Sequence, residues 1–257
     1  QLHLSDRILQ KLILQVIKPT FKHVINTNCY HMNGPAGVGK ATKGIVQAIK
    51  DNNPQYYIRA DIKSFYNSIV HYKLINDLKK YYVDPKLIKM FENIINNPIE
   101  TPNGDKNSVN GIALRGPLSQ FFSGIYLKPL DDVFNNMDIH YTRYQDDILI
   151  LCKTKRQMNR CRRIMMNVLQ ERYLSLSRRK SRFGKIEQGF HFLGIEYLPT
   201  QPENNTDTTE LECKKANNQV SKSLYIAPHP RSLRKAREQV KCMVNDEVSL
   251  PKIKTYL

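Results

Sequence analysis

The sequence predicts an α+β fold, an antiparallel sheet with helices packed on one face. Two observations carry this. Strand-like and helix-like segments mix along the 257 residues without the regular alternation that a parallel sheet demands. The stretch IHYTRYQDDILILCK is two apolar runs around a polar middle, the pattern of an antiparallel hairpin. A chain of this length buries a sizeable core, in one large domain or two smaller ones.

Taken in order, SDRILQKLILQVIKPTF reads as an amphipathic helix with Ser5 or Asp6 as cap and Pro19 near its end. TKGIVQAIK reads as a second helix, and a glycine-containing loop separates the two. YYIRADIKSFY is a short apolar strand that turns into a helix after Asp61. HYKLINDLKKYY and DPKLIKMFENIINN are helical, and TPNGDKN is a turn whose Asn103-Gly104 favours a hairpin. PLSQFFSGIYLKPLDDVF has apolar residues at helical spacing and predicts one helix. RQMNRCRRIMMNVLQERY is a basic helix, LSLSRRKSRF and FHFLGIEYLPT are strands, QPENNTDTTE is a polar linker, and the segment from Leu211 onward returns to helix.

Charge points to a polyanion. Forty Lys+Arg against 23 Asp+Glu give a formal net charge of +17, and the cations cluster in KRQMNRCRRIMM, RRKSRFGK and RSLRKAREQVK. Nucleic acid is the leading partner. No run of about 18 apolar residues and no signal-peptide pattern is seen, so the expectation is a soluble, intracellular protein with no membrane partner. The five cysteines, Cys29, Cys152, Cys161, Cys213 and Cys242, are odd in number and form no CxxC pair; they read as reduced.

GPAGVGKAT places Gly34, Gly39 and Lys40 on the glycine, glycine and lysine of a phosphate-binding P-loop. That loop needs Ser or Thr after the lysine to ligate magnesium, and here Ala41 follows, with Thr42 one place late. HVINTNCYHMN also makes a poor feeding strand. The nucleotide-hydrolase reading fails on both counts.

The sharpest chemistry is acidic. Asp146 and Asp147 fall in the tight turn of the predicted hairpin, where adjacent carboxylates repel one another and a cation relieves the repulsion. Asp61, at a strand end, is placed to face them. Hard oxygen ligands from two strands suit magnesium, whose octahedron substrate phosphates complete. Two such ions about 3.5 to 4 Å apart activate an attacking hydroxyl and stabilise a leaving pyrophosphate.

DIKSFY, GIALRGPLSQFFSGIYL, YQDD between apolar strands, and FLGIEY, in this order, resemble the successive palm motifs of a reverse transcriptase. The resemblance covers almost the whole chain and is closest to bacterial enzymes of the group II intron and diversity-generating kind; the Ser119-Gln120 pair is similar to the latter branch. It implies a right-hand polymerase with partial fingers over 1–54, a palm over 55–200 with fingers elements within about 74–110, and a linker and the start of a helical thumb over 201–257. It further implies RNA-directed DNA synthesis in a bacterial cytoplasm, with two Mg²⁺ ions (Mn²⁺ as substitute), an RNA template, a DNA or RNA primer and deoxynucleoside triphosphates. A catalytically weak polymerase-fold nucleic-acid binder is the alternative.

Carried over residue by residue, the resemblance makes Asp61 and Asp146 metal ligands, Asp147 a third acid close by, and Ile62 a backbone-carbonyl ligand. Lys180 matches the lysine that protonates pyrophosphate, or, with Arg178 and Arg179 beside it, serves as a backbone-phosphate contact. Phe65, Tyr66, Leu114, Arg115, Gly116 and Gln120 fall around the incoming nucleotide, with Tyr66 the ring that excludes a 2′-hydroxyl. GKATKGIVQAI resembles a fingers block, with Lys40 near nucleotide or template. Phe192, Leu193 and Gly194 match the primer grip, and Arg178, Arg179, Arg231, Arg234, Lys235 and Arg237 the contacts to the nucleic-acid backbone. Where the family shows proline and then a Gln-Gly or Ile-Gly pair, this chain has Ala113, Leu114 and Arg115, with Gly116 one place late. An aliphatic Leu114 there makes no hydrogen bond to nucleotide. The chain also starts at a helix that in the family follows a first fingers block, and LRKAREQVKCMVNDEVSLPKIKTYL resembles only the start of a thumb.

Overall fold

The computed structural model of the chain describes residues 3–97, 99–101, 104–106, 108–114, 116–199, 224–235 and 238. The linker 201–210, Arg115 and Arg237 lie outside them. The chain divides into two compact units, Gln1–Gly184 and Lys185–Leu257.

In the first unit α1 (Leu4–Ile17) leads through a short turn into α2 (Phe21–Val24). The cap of α1 is His3, whose ring caps no backbone N–H and bonds the Ser5 hydroxyl at 2.8 Å. A 3₁₀ segment, Tyr30–Ala36, runs straight into α3 (Gly37–Asn52), which therefore begins five residues before the expected start. Gly37 is needed there, because a Cβ would lie inside contact distance of the Tyr30 carbonyl. After β1 (Tyr56–Asp61) come α4 (Phe65–Ser68), α5 (His71–Lys79) and α6 (Pro85–Ile95). Asp84 caps α6 by accepting from the Lys86 N–H at 2.9 Å, with Pro85 in the first turn. A small hairpin follows, β2 (Ile99–Thr101) with β3 (Gly104–Lys106), closing Thr101 on Gly104.

The long apolar stretch that predicted one helix forms two, α7 (Ser119–Tyr126) and α8 (Lys128–Asn135). Pro129 in the first turn of α8 has no N–H to continue α7, so the break falls at Leu127. Then come β4 (His140–Tyr144), β5 (Asp147–Cys152), α9 (Lys155–Glu171) and β6 (Arg182–Lys185). LSLSRRKSRF is mostly a turn and not a strand; only its last two residues join β6.

The main sheet has the order β4-β5-β1-β6, and β5 is antiparallel to both neighbours. Alternation sorts the two faces. Ile58, Ala60, Ile148, Ile150 and Cys152 join one core with Leu74 and Leu78 of α5, Phe91 of α6, Phe121 and Phe122 of α7, Leu130 and Phe134 of α8, and Cys161, Met165 and Leu169 of α9. Asp61 and Asp147, cross-strand partners, therefore stand on the opposite face.

A buried ion pair lies against this core. The Arg143 side chain is fully buried against Asp131 at 1% exposure, and Asp131 also accepts from the Tyr141 hydroxyl at 2.6 Å. The rest of the guanidinium donates to the carbonyls of Gln145 and Gly124, at 3.0 and 3.4 Å.

In the second unit FHFLGIEYLPT forms two strands, β7 (Phe190–Phe192) and β8 (Ile195–Pro199), joined by Leu193-Gly194 with φ of 51° and 79°. Two positive φ values make a two-residue turn of the I′ kind. The region expected to be helical from Leu211 contributes a third strand, β9 (Leu224–Pro228), paired with β8, before a helical segment over 230–235.

Arg143→Met leaves Asp131 buried without its partner and should cost about 3 to 5 kcal/mol of unfolding free energy. Arg143→Met with Asp131→Leu should recover most of that loss. Urea unfolding of the two variants checks it, and equal losses in both would contradict a pair held by mutual compensation.

Candidate active site

The site is built on a register and a turn. β1 and β5 pair so that Asp61 faces Asp147, and the Ile62 N–H donates to the Asp146 carbonyl at 3.3 Å. Gln145 and Asp146 alone connect β4 to β5, since Tyr144 pairs with Asp147. Such a tight link requires a left-handed residue, and Gln145 takes it at φ 56°. The strain is supported from behind: Arg143 holds the Gln145 carbonyl and the His31 Nδ1 accepts the Gln145 N–H at 3.2 Å.

The electrostatics follow from this crowding. Asp61 is 6% exposed. Burial, then the charges of Asp146 and Asp61, push Asp147 up to about 6. Asp146 is raised by burial and by the charge of Asp61, with a bond to its own backbone N–H and the charge of Lys180 opposing. Lys180 Nζ sits 3.0 Å from Asp61 Oδ2, and this bond raises the ammonium pKa in turn.

Lys180 reaches Asp61 because its turn is pinned there. The Ser177 N–H donates to the Asp61 carbonyl at 2.8 Å, and the Ser181 hydroxyl accepts the Asp61 N–H at 3.2 Å. The N–H groups of Lys180 and Ser181 both donate to the Ser177 carbonyl, closing the turn. Arg178 and Arg179, on the same turn, are exposed.

Among the described residues no three His, Cys, Asp or Glu side chains form a metal cage unaided. The donor set still fits a hard divalent cation: three clustered carboxylates, two of them with raised pKa, and an ammonium already bound where positive charge is needed. Mg²⁺ characteristically takes one or two carboxylates and completes its shell with substrate oxygens and water.

Other expected site residues are distributed unevenly. Tyr66 lies half-buried within electrostatic reach of Asp146, its phenol bonded to Ser123. Phe65 is 2% exposed and packs in the core, so its ring cannot line a nucleotide pocket. Leu114 is 67% exposed, and Gly116 is buried, its carbonyl accepting the Ser119 N–H while the Ser119 hydroxyl donates to the Ala113 carbonyl. Gln120 has an exposed side chain. Lys40 is exposed on the first turn of α3, not in a loop. In the second unit Phe192 is 1% exposed and anchors the hairpin, while Leu193 and Gly194 at its tip are partly exposed. Gly194 is closely approached by Ser232, where a Cβ would lie 2.8 Å from the hydroxyl oxygen. Arg231, Arg234 and Lys235 are exposed on the helical segment.

His31 escaped the sequence reading. It is 2% exposed, and burial, reinforced by the charge of Arg143, lowers its pKa to about 3. With Nδ1 accepting from Gln145, Nε2 carries the proton and donates to the Gln120 carbonyl at 3.0 Å. The glycine-bearing segment thus props the carboxylate turn. The available signal was a polar residue inside HVINTNCYHMN, which nothing in the sequence ties to YQDD.

Residues 1–197 match the family described as reverse transcriptase (RNA-dependent DNA polymerase). An uncharacterized 91 kDa protein in a cob intron of Schizosaccharomyces pombe is 25% identical over 132 residues, which are 51% of this chain and 16% of that protein. Apo telomerase from Candida tropicalis is similar in fold with a TM-score of 0.55 at 15% identity, over 75% of this chain and 39% of its own. Telomerase from Candida albicans, in complex with a TWJ fragment of telomeric RNA, gives 0.55 at 14%, over 73% of this chain and 35% of its own. The chain thus spans well under half the length of these relatives, and the structural likeness speaks for the fold alone. The matched residues include Asp61, the Asp146-Asp147 turn and Lys180, and the chain belongs to the reverse transcriptase family, whose enzymes use divalent metal ions.

Proposed function

We propose that this chain is the fingers and palm, with the beginning of a thumb, of an RNA-directed DNA polymerase that extends a primer 3′-hydroxyl with deoxynucleotides. The observation that carries the reading is the register that sets Asp61 opposite Asp147 beside Asp146, with Lys180 bound to Asp61. Asp61, Asp146 and Asp147 would hold Mg²⁺, with Mn²⁺ as substitute, and two such ions would supply positive charge for the attacking oxygen and the leaving pyrophosphate. Lys180, bound to Asp61 and 64% exposed, is placed to hold the proton that a leaving pyrophosphate would take. Arg178 and Arg179 hold the template or primer backbone.

Within the family, the Ser119-Gln120 pair supports a place among retroelement enzymes of the group II intron and diversity-generating kind, and the fission-yeast intron protein supports the intron side of it. A cytoplasmic, bacterial setting goes with that placement.

Asp61→Asn and Asp146→Asn should each abolish primer extension on an RNA template while primed-template affinity stays within about twofold, because only the ion sites are lost. Extension surviving at more than a few per cent in either variant would refute the assignment.

Asp147 makes an opposite-signed prediction. Its folded-state pKa, about 6, exceeds that of a free carboxyl, so above pH 6 its ionised form opposes folding, and the penalty fades as pH falls toward 4. Asp147→Asn should therefore stabilise the metal-free protein by roughly 2 kcal/mol above pH 6, with the gain shrinking through that window. Added Mg²⁺ should raise the melting temperature of the unsubstituted protein more than that of the variant. Thermal melts across pH, with and without the ion, check both halves.

For Tyr66, trimming the ring should open room for a 2′-hydroxyl. Tyr66→Ala should raise relative ribonucleotide use by roughly 10- to 200-fold, read from single-nucleotide incorporation. An unchanged sugar preference in a stably folded, active variant would leave Tyr66 as a packing residue bonded to Ser123.

A further inference from the structure

We propose that the outer face of α9 is a second phosphate-binding surface, which holds the backbone of RNA outside the groove that carries Asp61. On a helix of 100° per residue, Arg156, Arg160 and Arg163 fall within a narrow stripe directly opposite the buried Cys161, Met165 and Leu169. All three arginines are exposed, and none has an acidic partner among the described residues. Asp138, whose carbonyl accepts from Gln157 in the first turns of the helix, has its carboxylate taken by Lys153 at 3.0 Å.

The arrangement works against the helix that carries it. The first turn holds Lys155 and Arg156 and no acid, the reverse of what the helix dipole favours. Arg156 and Arg160 are four apart and Arg160 and Arg163 three apart, spacings at which like charges repel. No carboxylate interrupts the run before Glu171. Local charge rules broken without local compensation mark a surface shaped for an outside anion.

Position excludes the primer–template groove as that anion's place. α9 packs against the helix-side face of β1 and β5, whereas Asp61 and Asp147 stand on the other face. The stripe is further removed by the whole thickness of the helix, about 10 Å. A chain with formal charge +17 selects a polyanion for such a face, and spaced guanidinium groups without interleaved aromatic residues suit a phosphate backbone over stacked bases.

The test uses the full chain and a blunt RNA hairpin that offers no primer terminus. Arg156→Gln, Arg160→Gln and Arg163→Gln together should weaken hairpin binding by about tenfold at moderate salt and flatten the slope of log affinity against log salt by about 2 to 3. Replacing the same three residues by Lys should keep both near the starting values. The Gln variant should melt no lower than the original, since it removes repulsion, and should extend a short primed template with unchanged kcat and KM. Asp61→Asn should bind the hairpin normally, so failure of the polymerase reading would not disturb this result. Unchanged affinity and slope in the Gln variant would overturn the proposal, leaving an acidic protein as the partner; impaired extension with intact hairpin binding would overturn it too, by returning the stripe to the catalytic groove. If the triple variant fails to fold, each single Gln substitution, expected to remove about 1 from the slope, decides the matter in the same way.

Discussion

The geometry of the carboxylate site rests on one buried ion pair. Arg143 occupies a core position on β4 where a hydrophobic residue would ordinarily pack, and the desolvation this entails is met by Asp131 and two backbone carbonyls. What the fold gains is positional. Asp131 fixes one end of the guanidinium to α8, Gly124 ties it to α7, and the other end grips the carbonyl of Gln145. A two-residue link with a left-handed glutamine is thereby held to the helical layer beneath it. An apolar residue at 143 could fill the space, but it could not hold a carbonyl.

Above that anchor the site is under electrostatic tension. Asp61, Asp146 and Asp147 are drawn together by strand register, not by mutual attraction, and raised pKa values at Asp146 and Asp147 are the signature. Lys180 answers the repulsion with the bond to Asp61, and its side chain is 64% exposed, so it can leave. The serines at 177 and 181 bond only the backbone of Asp61, which keeps that residue in place whether or not the lysine is bound.

The sequence foretold elements whose signal is local. The β4–β5 hairpin was legible in two apolar runs, the end of β1 in Asp61, and α6 in Asp84-Pro85. The misreadings have physical sources. Pro129 divides α7 from α8 although the apolar period continues across it. The apolar residues of FHFLGIEYLPT hid a turn because Leu193 adopts a conformation usually left to glycine. LSLSRRKSRF alternates like a strand but is bent where Ser177 accepts two N–H groups. Of the site, the carboxylates and Lys180 were legible through family motifs, while His31 and the Arg143–Asp131 pair were not, since their meaning lies in contacts across the chain. Phe65 and Phe192 sit inside expected motifs yet face the core: a motif marks a stretch of backbone, and alternation decides which side chains look outward.

The bond between Asp61 and Lys180 joins residues 119 positions apart, and this distance has a meaning for how the molecule comes into being. A ribosome delivers the chain from its N-terminus at about 5 to 20 residues per second. For several seconds β1 exists without β5, and then the acidic hairpin exists without its lysine. Asp61 gains its ammonium partner only when the turn at 178–180 has been made and docked. Long-range closure of this kind is slow relative to helix formation, so a chain truncated or stalled before the turn at 178–180 leaves Asp61 without its ammonium partner.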